Sequence, residues 1–172
     1  QGASVILSDS KPREEFASSA EIKDLEAAGV ELMLGNQFAE QVDWDFVVVS
    51  PGVPPMIPIL TMSRQAGCEV LGEIELAYRF ASAPFLGITG TNGKTTTTAL
   101  LGFILQNCGK NVLVGGNIGE PLALTAPKFT GDYIVAELSS FQLESCIDFH
   151  AHIGVYLNLT PDHLNRHGTM QA

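Results

Sequence analysis

The sequence predicts an α/β fold built on parallel sheets. Three observations carry this reading. Short apolar or β-branched runs alternate with helix-length segments along the chain, and strands alternating with such helices pair in parallel. One of these runs, Phe85-Leu86-Gly87-Ile88-Thr89, leads into the Gly-rich turn Gly90-Thr91-Asn92-Gly93 and then into Lys94-Thr95. Polar clusters also follow the ends of several runs, which is where open parallel sheets bind their ligands.

In chain order, Ser4–Ser8 reads as a strand that ends in Asp9-Ser10-Lys11-Pro12. Glu14 to Ala28 carries Phe16, Ile22, Leu25 and Ala28 at helical spacing, and Gly29 closes it. Glu31–Leu34 is a short strand, and Phe46–Ser50 is a β-branched run stopped by Pro51-Gly52. Ile59 to Gly67 reads as helix, Glu69–Leu71 as strand and Glu73–Phe80 as helix. The strand at Phe85 is followed by helix from Thr96 to Gln106. Further strands are expected at Asn111–Val114, Tyr133–Leu138 and Ile153–Leu159. The small, Pro-containing Ala81-Ser82-Ala83-Pro84 precedes the Gly-rich turn and its strand, so a domain boundary is placed there, dividing residues 1–82 from 83–172.

Composition excludes several classes. The net charge of −10 argues against a nucleic-acid surface, since a phosphate backbone would be repelled. No apolar run approaches the roughly 18 residues that span a bilayer, and no charged-then-apolar leader is expected. Cys68, Cys108 and Cys146 are odd in number, far apart and set in apolar segments. They read as reduced core cysteines of a cytosolic protein rather than a disulfide or zinc framework.

Gly90-Thr91-Asn92-Gly93-Lys94-Thr95, placed between a buried strand and a helix, has the context of a phosphate-binding P-loop. Glycines let backbone N–H groups crowd around phosphate oxygens, and the helix N-terminus adds a favourable dipole. Lys94 would meet the β/γ-phosphates and the Thr95 hydroxyl a Mg²⁺ ion. The strict pattern wants glycine at position 88, where Ile88 stands, so this is a variant. The alternative is an ordinary Gly-rich turn before a helix.

Glu137, closing the apolar run Tyr133–Leu138, stands where a P-loop enzyme places the acid that serves its Mg²⁺; otherwise it is a solvated strand end. His163 reads as a metal or substrate ligand, or as a surface histidine. The pairs His163/His167 and His150/His152 have no cysteine or further histidine at zinc spacing and read as structural. Lys11 and Arg13 could meet an anion or simply be solvated turn residues.

Four ordered motifs then carry a family resemblance: Gly90 to Thr95, Gly116-Asn117-Ile118-Gly119, Glu137-Leu138-Ser139-Ser140-Phe141-Gln142-Leu143, and Asn158-Leu159-Thr160-Pro161-Asp162-His163. Together they resemble the Mur ligases. The Glu137–Leu143 run and the Ser50-Pro51-Gly52-Val53-Pro54 turn resemble the branch that adds D-glutamate to UDP-N-acetylmuramoyl-L-alanine. The resemblance implies a truncated Rossmann-like UDP-substrate domain followed by part of a P-loop ATPase domain. It implies a cytoplasmic, monomeric ligase of peptidoglycan precursor synthesis that uses ATP and Mg²⁺, with neither nucleic acid nor membrane as partner. By motif position, Gly90, Thr91, Asn92, Gly93, Lys94, Thr95 and Thr96 would cradle the nucleotide phosphates. Thr95, Glu137 and His163 would serve the magnesium sites, with Lys94, Glu137 and His163 as the catalytic group. Asn117 and Ser139 would meet the muramoyl substrate, Ser50 and Gly52 its diphosphate, and Asp9, Ser10 and Lys11 the uridine end.

The sequence also departs from that pattern. The family's first strand and Gly-rich turn would precede Gln1, and its carbamylated lysine and amino-acid-binding domain would lie beyond Ala172, so an internal fragment inactive by itself is expected. Lys11 stands where the family often has arginine, a point charge in place of a fork. Another Mur-type or folylpolyglutamate-type ligase would share the P-loop but not the Ser139–Gln142 run. A P-loop kinase or GTPase is a different class, and no Asn-Lys-x-Asp guanine motif is present. A non-catalytic binding module is a third alternative.

Overall fold

The computed structural model describes residues 2–16, 20–35 and 43–170. The chain divides into two compact units, Gln1–Asp43 and Trp44–Ala172. In the first, β1 (Ile6–Asp9) and β2 (Glu31–Leu34) pair in parallel, with Ile6 opposite Glu31 and Asp9 opposite Leu34. The helix expected over 14–28 is a single 3₁₀ turn at Arg13–Glu15 and then α1 (Ala20–Ala27); residues 17–19 lie outside the described residues. Gly29, at φ +84°, ends the helix in the left-handed region that favours glycine.

The second unit opens with β3 (Phe46–Val49), α2 (Pro58–Gln65) and β4 (Glu69–Gly72). β3 and β4 form their own parallel ladder. Pro58 opens α2 where its missing N–H costs nothing. α3 (Glu73–Phe80) follows at once and leads into β5 (Phe85–Thr89). Next come α4 (Lys94–Asn107), β6 (Val112–Gly116), α5 (Leu122–Thr125), β7 (Tyr133–Glu137), α6 (Ser140–Leu143), β8 (Ile153–Tyr156) and α7 (Leu164–His167). The four later strands form one all-parallel sheet in the order β6-β7-β5-β8, as the alternation predicts. β8 is shorter than the run to Leu159 because its partner β5 stops at Thr89. Gly90 then turns away at φ +137°.

Helices cover both faces of this sheet. On one face Phe85, Ile134, Ala136 and Leu138 are buried with Ile74 and Ala77 of α3 and Leu122 and Ala126 of the α5 region. On the other, Leu86, Ile88 and Val135 pack with Leu101 and Leu105 of α4. Successive strand residues point to opposite faces, so Glu137 shares the α4 face with Val135. α3 and β5, which flank Ala81–Pro84, thus belong to one core. Cys108 corrects the expectation of core cysteines: it is exposed, because it follows the last turn of α4, whereas Cys68 and Cys146 are half-buried. Among the described residues no helix is long and apolar enough to cross a membrane.

Two carboxylates of α3 fasten it to the sheet's loops. Glu73 Oε1 accepts from Ala123 N at the start of α5 (2.6 Å). The fully buried Glu75 accepts from the amides of Ile147, Asp148 and Phe149, and Arg79 Nε donates to it at 2.8 Å. Burial works to raise the Glu75 carboxyl, but the Ile147 amide, Arg79 and the Asp148 and Phe149 amides together hold it below its ordinary value. A carboxyl lowered in the folded state contributes stability above the unfolded carboxylate range, and loses it as pH falls through the folded value. Glu75→Gln should therefore cost about 3 kcal/mol at neutral pH, since an amide turns donors toward donors. In urea unfolding, the gap between the two proteins should shrink as the pH is lowered below about 4. An equal gap at both pH values would show that charge is not what Glu75 contributes.

Candidate active site

In the order β6-β7-β5-β8 the C-terminal ends of four parallel strands lie side by side. Asn117 follows β6, Glu137 ends β7, residues 90–96 follow β5 and residues 158–163 follow β8. The sheet therefore brings these four polar clusters to one edge.

The turn after β5 is the segment expected to cradle phosphate. Gly93 sits at φ +85° as the residue before α4, so the helix starts at Lys94, two residues earlier than the apolar periodicity suggests. Thr95 and Thr96, in the first turn, are exposed, as are Asn92 and Gly93. Lys94 Nζ donates to its own loop, to Gly90 O (2.7 Å) and Thr91 O (2.9 Å). The ammonium is thus held over the turn where a phosphate would present its oxygens.

The loop is strapped to the chain that leaves β8. Thr91 N donates to Asn158 O (3.0 Å). Asn92 N donates to Asn158 Oδ1, and Asn158 Nδ2 donates to Asn92 O, both at 2.9 Å. Thr91 Oγ1 donates to Thr160 O (3.2 Å) and accepts from Thr160 N (3.0 Å). A Cβ on Gly90 would come within 3.1 Å of Asn158 backbone atoms, so glycine is what allows the approach.

Across the ladder from Ile88 lies Glu137, 1% exposed. Asn117 Nδ2 donates to its Oε1 (2.8 Å), and Asn117 N donates to the Glu137 carbonyl (2.9 Å). The other carboxylate oxygen, Oε2, is buried without a hydrogen-bond partner among the described residues. The expectation of a solvated strand end is thereby excluded. Thr98 Oγ1, one turn into α4 on the same face of the sheet, is likewise buried and unpartnered.

A buried anionic oxygen without a donor is what a hard cation would compensate. Magnesium is usually held by one or two carboxylates, with water and phosphate oxygens completing its shell. Glu137 and the Thr95 hydroxyl fit that donor set. Among the described residues no three His, Cys, Asp or Glu side chains cluster as metal ligands.

His163 is exposed and held at φ +49° before α7. Its ring lies 4.8 Å from that of Phe141. Ser139 caps α6: its hydroxyl donates to Gln142 Oε1 (2.9 Å) and accepts from Gln142 N (3.3 Å), while Ser139 N also donates to Oε1 (2.9 Å). Ser50 and Gly52 lie in a turn closed by Val53 N donating to Ser50 O (3.0 Å). Asp9, Ser10 and Lys11 belong to the first unit, where Asp9 Oδ1 accepts from Lys11 N (2.8 Å) and Lys11 Nζ lies over Phe16. Arg13 is paired with Glu26 rather than left open to an anion.

Sequence reasoning missed the strapping role of Asn158 and Thr160, although their motif is visible. It also missed Gln142 as a capping partner, for which the Ser-x-x-Gln spacing is a readable signal. Arg166 and Glu144 carry no such signal.

A Gly-rich turn between a central parallel strand and a helix, with lysine opening the helix and a buried acid ending the neighbouring strand of the sheet, is the arrangement of a P-loop-type α/β fold. Within that class, residues 88–172 match the Mur ligase middle domain. It is 51% identical over 173 residues to the UDP-N-acetylmuramoylalanine–D-glutamate ligase of Pelotomaculum thermopropionicum, covering 99% of this chain and 37% of that protein. The enzyme of the same name from Alkaliphilus oremlandii is 50% identical, with 99% of this chain and 38% of that protein covered. The chain thus spans little more than a third of these relatives. The fold is also that of the Neisseria meningitides UDP-N-acetylmuramate:L-alanyl-gamma-D-glutamyl-meso-diaminopimelate ligase, at a TM-score of 0.53 and 20% identity over 94% of this chain and 55% of that one.

Gly116 joins the two halves of the edge. It sits at φ +103°, and a Cβ there would stand 2.3 Å from the Glu137 carbonyl oxygen. Gly116→Ala should push β6 from β7 and cost more than about 2 kcal/mol in thermal or urea unfolding. Unchanged stability would mean that the β6–β7 approach is looser than this geometry.

Proposed function

We propose that this chain is the substrate- and ATP-binding part of a ligase that joins D-glutamate to UDP-N-acetylmuramoyl-L-alanine in peptidoglycan precursor synthesis. In this reading residues 1–82 belong to the UDP-substrate domain and residues 83–172 to the central ATPase domain. The enzyme works as a cytoplasmic monomer, with neither nucleic acid nor membrane as partner. The observation that carries the proposal is the half-compensated carboxylate of Glu137 beside a Gly-rich turn with Lys94. Identity near 50% to proteins named for this reaction supports the choice of substrates.

The chemistry requires these groups. A carboxylate is a poor electrophile, so one of its oxygens first attacks the γ-phosphorus of ATP and ADP leaves. The amine of D-glutamate then attacks the carbonyl carbon of the acyl phosphate, phosphate departs and a proton is lost. The first step brings two anions together, which demands positive charge and donors placed beforehand. Lys94 leaves its loop carbonyls for the β/γ-phosphates, and the amides of residues 91–96 take the phosphate oxygens. Thr95, Glu137 and His163 would hold Mg²⁺, which would supply positive charge to neutralise the phosphate oxygens. Asn117 fixes the Glu137 carboxylate and, with Ser139, faces the muramoyl peptide. Ser50 and Gly52 take the diphosphate, and Asp9, Ser10 and Lys11 take the uridine.

In the full-length parent, Lys94→Ala should lower turnover a hundredfold or more, about 3–4 kcal/mol of transition-state stabilisation. Phosphate release dependent on both D-glutamate and the UDP substrate measures this, and near-normal turnover would overturn the assignment. Glu137→Gln keeps the shape and removes the charge, so the Mg²⁺ concentration needed for half-maximal rate should rise at least about tenfold. An unchanged magnesium titration would remove Glu137 from the metal site.

A further inference from the structure

Beside the P-loop edge, Arg166 of α7 reaches back to segments far away in sequence. Its Nη1 donates to the carbonyls of Pro51 (3.2 Å) and Val53 (3.4 Å), more than 110 positions earlier. Its Nε and Nη2 donate to Glu144 Oε2 (3.2 and 2.8 Å). The guanidinium carbon lies 4.5 Å from the Phe141 ring centroid, and that ring also packs on His163 and His167. Glu144 divides its oxygens, with Oε1 at 3.1 Å from His167 Nδ1, while His167 Nε2 meets Ser140 Oγ at 2.9 Å.

We propose that Arg166 is a positioning residue which holds the Ser50–Val53 turn in register with the Ser139–Phe141 segment and His163. It does not touch substrate, because four of the five N–H donors of the fork are engaged with protein acceptors. What it offers is geometry. A planar fork can bind two carbonyls on one side and a carboxylate on the other while lying flat on an aromatic ring, and lysine cannot. The side chain is 19% exposed, so water competes poorly for its acceptors. The turn it grips carries Ser50 and Gly52, assigned to the diphosphate, and the ring it covers steadies His163. Arg166 therefore sets the distance between the diphosphate end and the reacting end of the UDP substrate, while the ATP loop is held independently by Asn158.

The functional half of this inference rests on the ligase reading, and the structural half does not. In full-length enzyme, Arg166→Lys should raise KM for UDP-N-acetylmuramoyl-L-alanine about tenfold, and Arg166→Met further, with KM for ATP within twofold of the parent. Hydrogen exchange at the Val53 amide, which donates to Ser50 O, should quicken in both variants while that of Thr91 stays unchanged. Should an Arg166 variant fail to fold, Glu144→Gln tests the same link. It loosens the fork from the carboxylate and should shift the same KM and the same amide in the same direction. Equal loss for both substrates, or unchanged Val53 exchange, would overturn the role. If the unmodified parent shows no D-glutamate-dependent phosphate release, the ligase reading fails while the exchange result still decides Arg166.

Discussion

A carboxylate buried at the end of a central strand must be compensated, and Glu137 is compensated on one oxygen only. The sheet places it there. β7 lies between β6 and β5, so its last residue is flanked by Asn117 on one side and the P-loop strand on the other. Asn117 satisfies Oε1, and Oε2 has no donor among the described residues. A buried, unpaired charge carries a cost of several kcal/mol in a folded protein. Such a cost marks this edge of the sheet as the place where a positively charged ligand would be compensating.

The same residue type does opposite work in α3. Glu75 is as deeply buried as Glu137, yet it is met by three amides and an arginine. Its charge is fully used in holding the 147–149 turn against the helix. Burial alone therefore does not separate a functional carboxylate from a structural one. What separates them is whether the donors around it are sufficient.

The P-loop is held by hydrogen bonds rather than by packing. Thr91 and Asn92 are fastened to Asn158 and Thr160, while Lys94 rests on carbonyls of its own turn. The loop is thus held in one shape, which would lower the ordering cost of binding a ligand there. Arg166 shapes the other side of the edge with a different device, a charged fork on an aromatic ring.

The sequence by itself determined the local features. Alternating apolar runs announced parallel strands, and the strand Glu31–Leu34 and the helix Glu73–Phe80 appear as read. Gly90 and Gly93 with Lys94 announced a tight turn into a helix, because backbone freedom is a property of adjacent residues. Helix ends were less legible: Thr96 begins the apolar periodicity, but the left-handed Gly93 starts the helix at Lys94. Only the tertiary structure decided that Glu137 is buried rather than solvated, that Asn158 straps the loop, that Cys108 is exposed and that Arg166 spans α7, α6 and the Ser50–Val53 turn. The contacts of Glu137, Asn158 and Arg166 join positions 20 to more than 100 residues apart. Such contacts follow from the order in which strands assemble, and no local pattern of residues encodes that order.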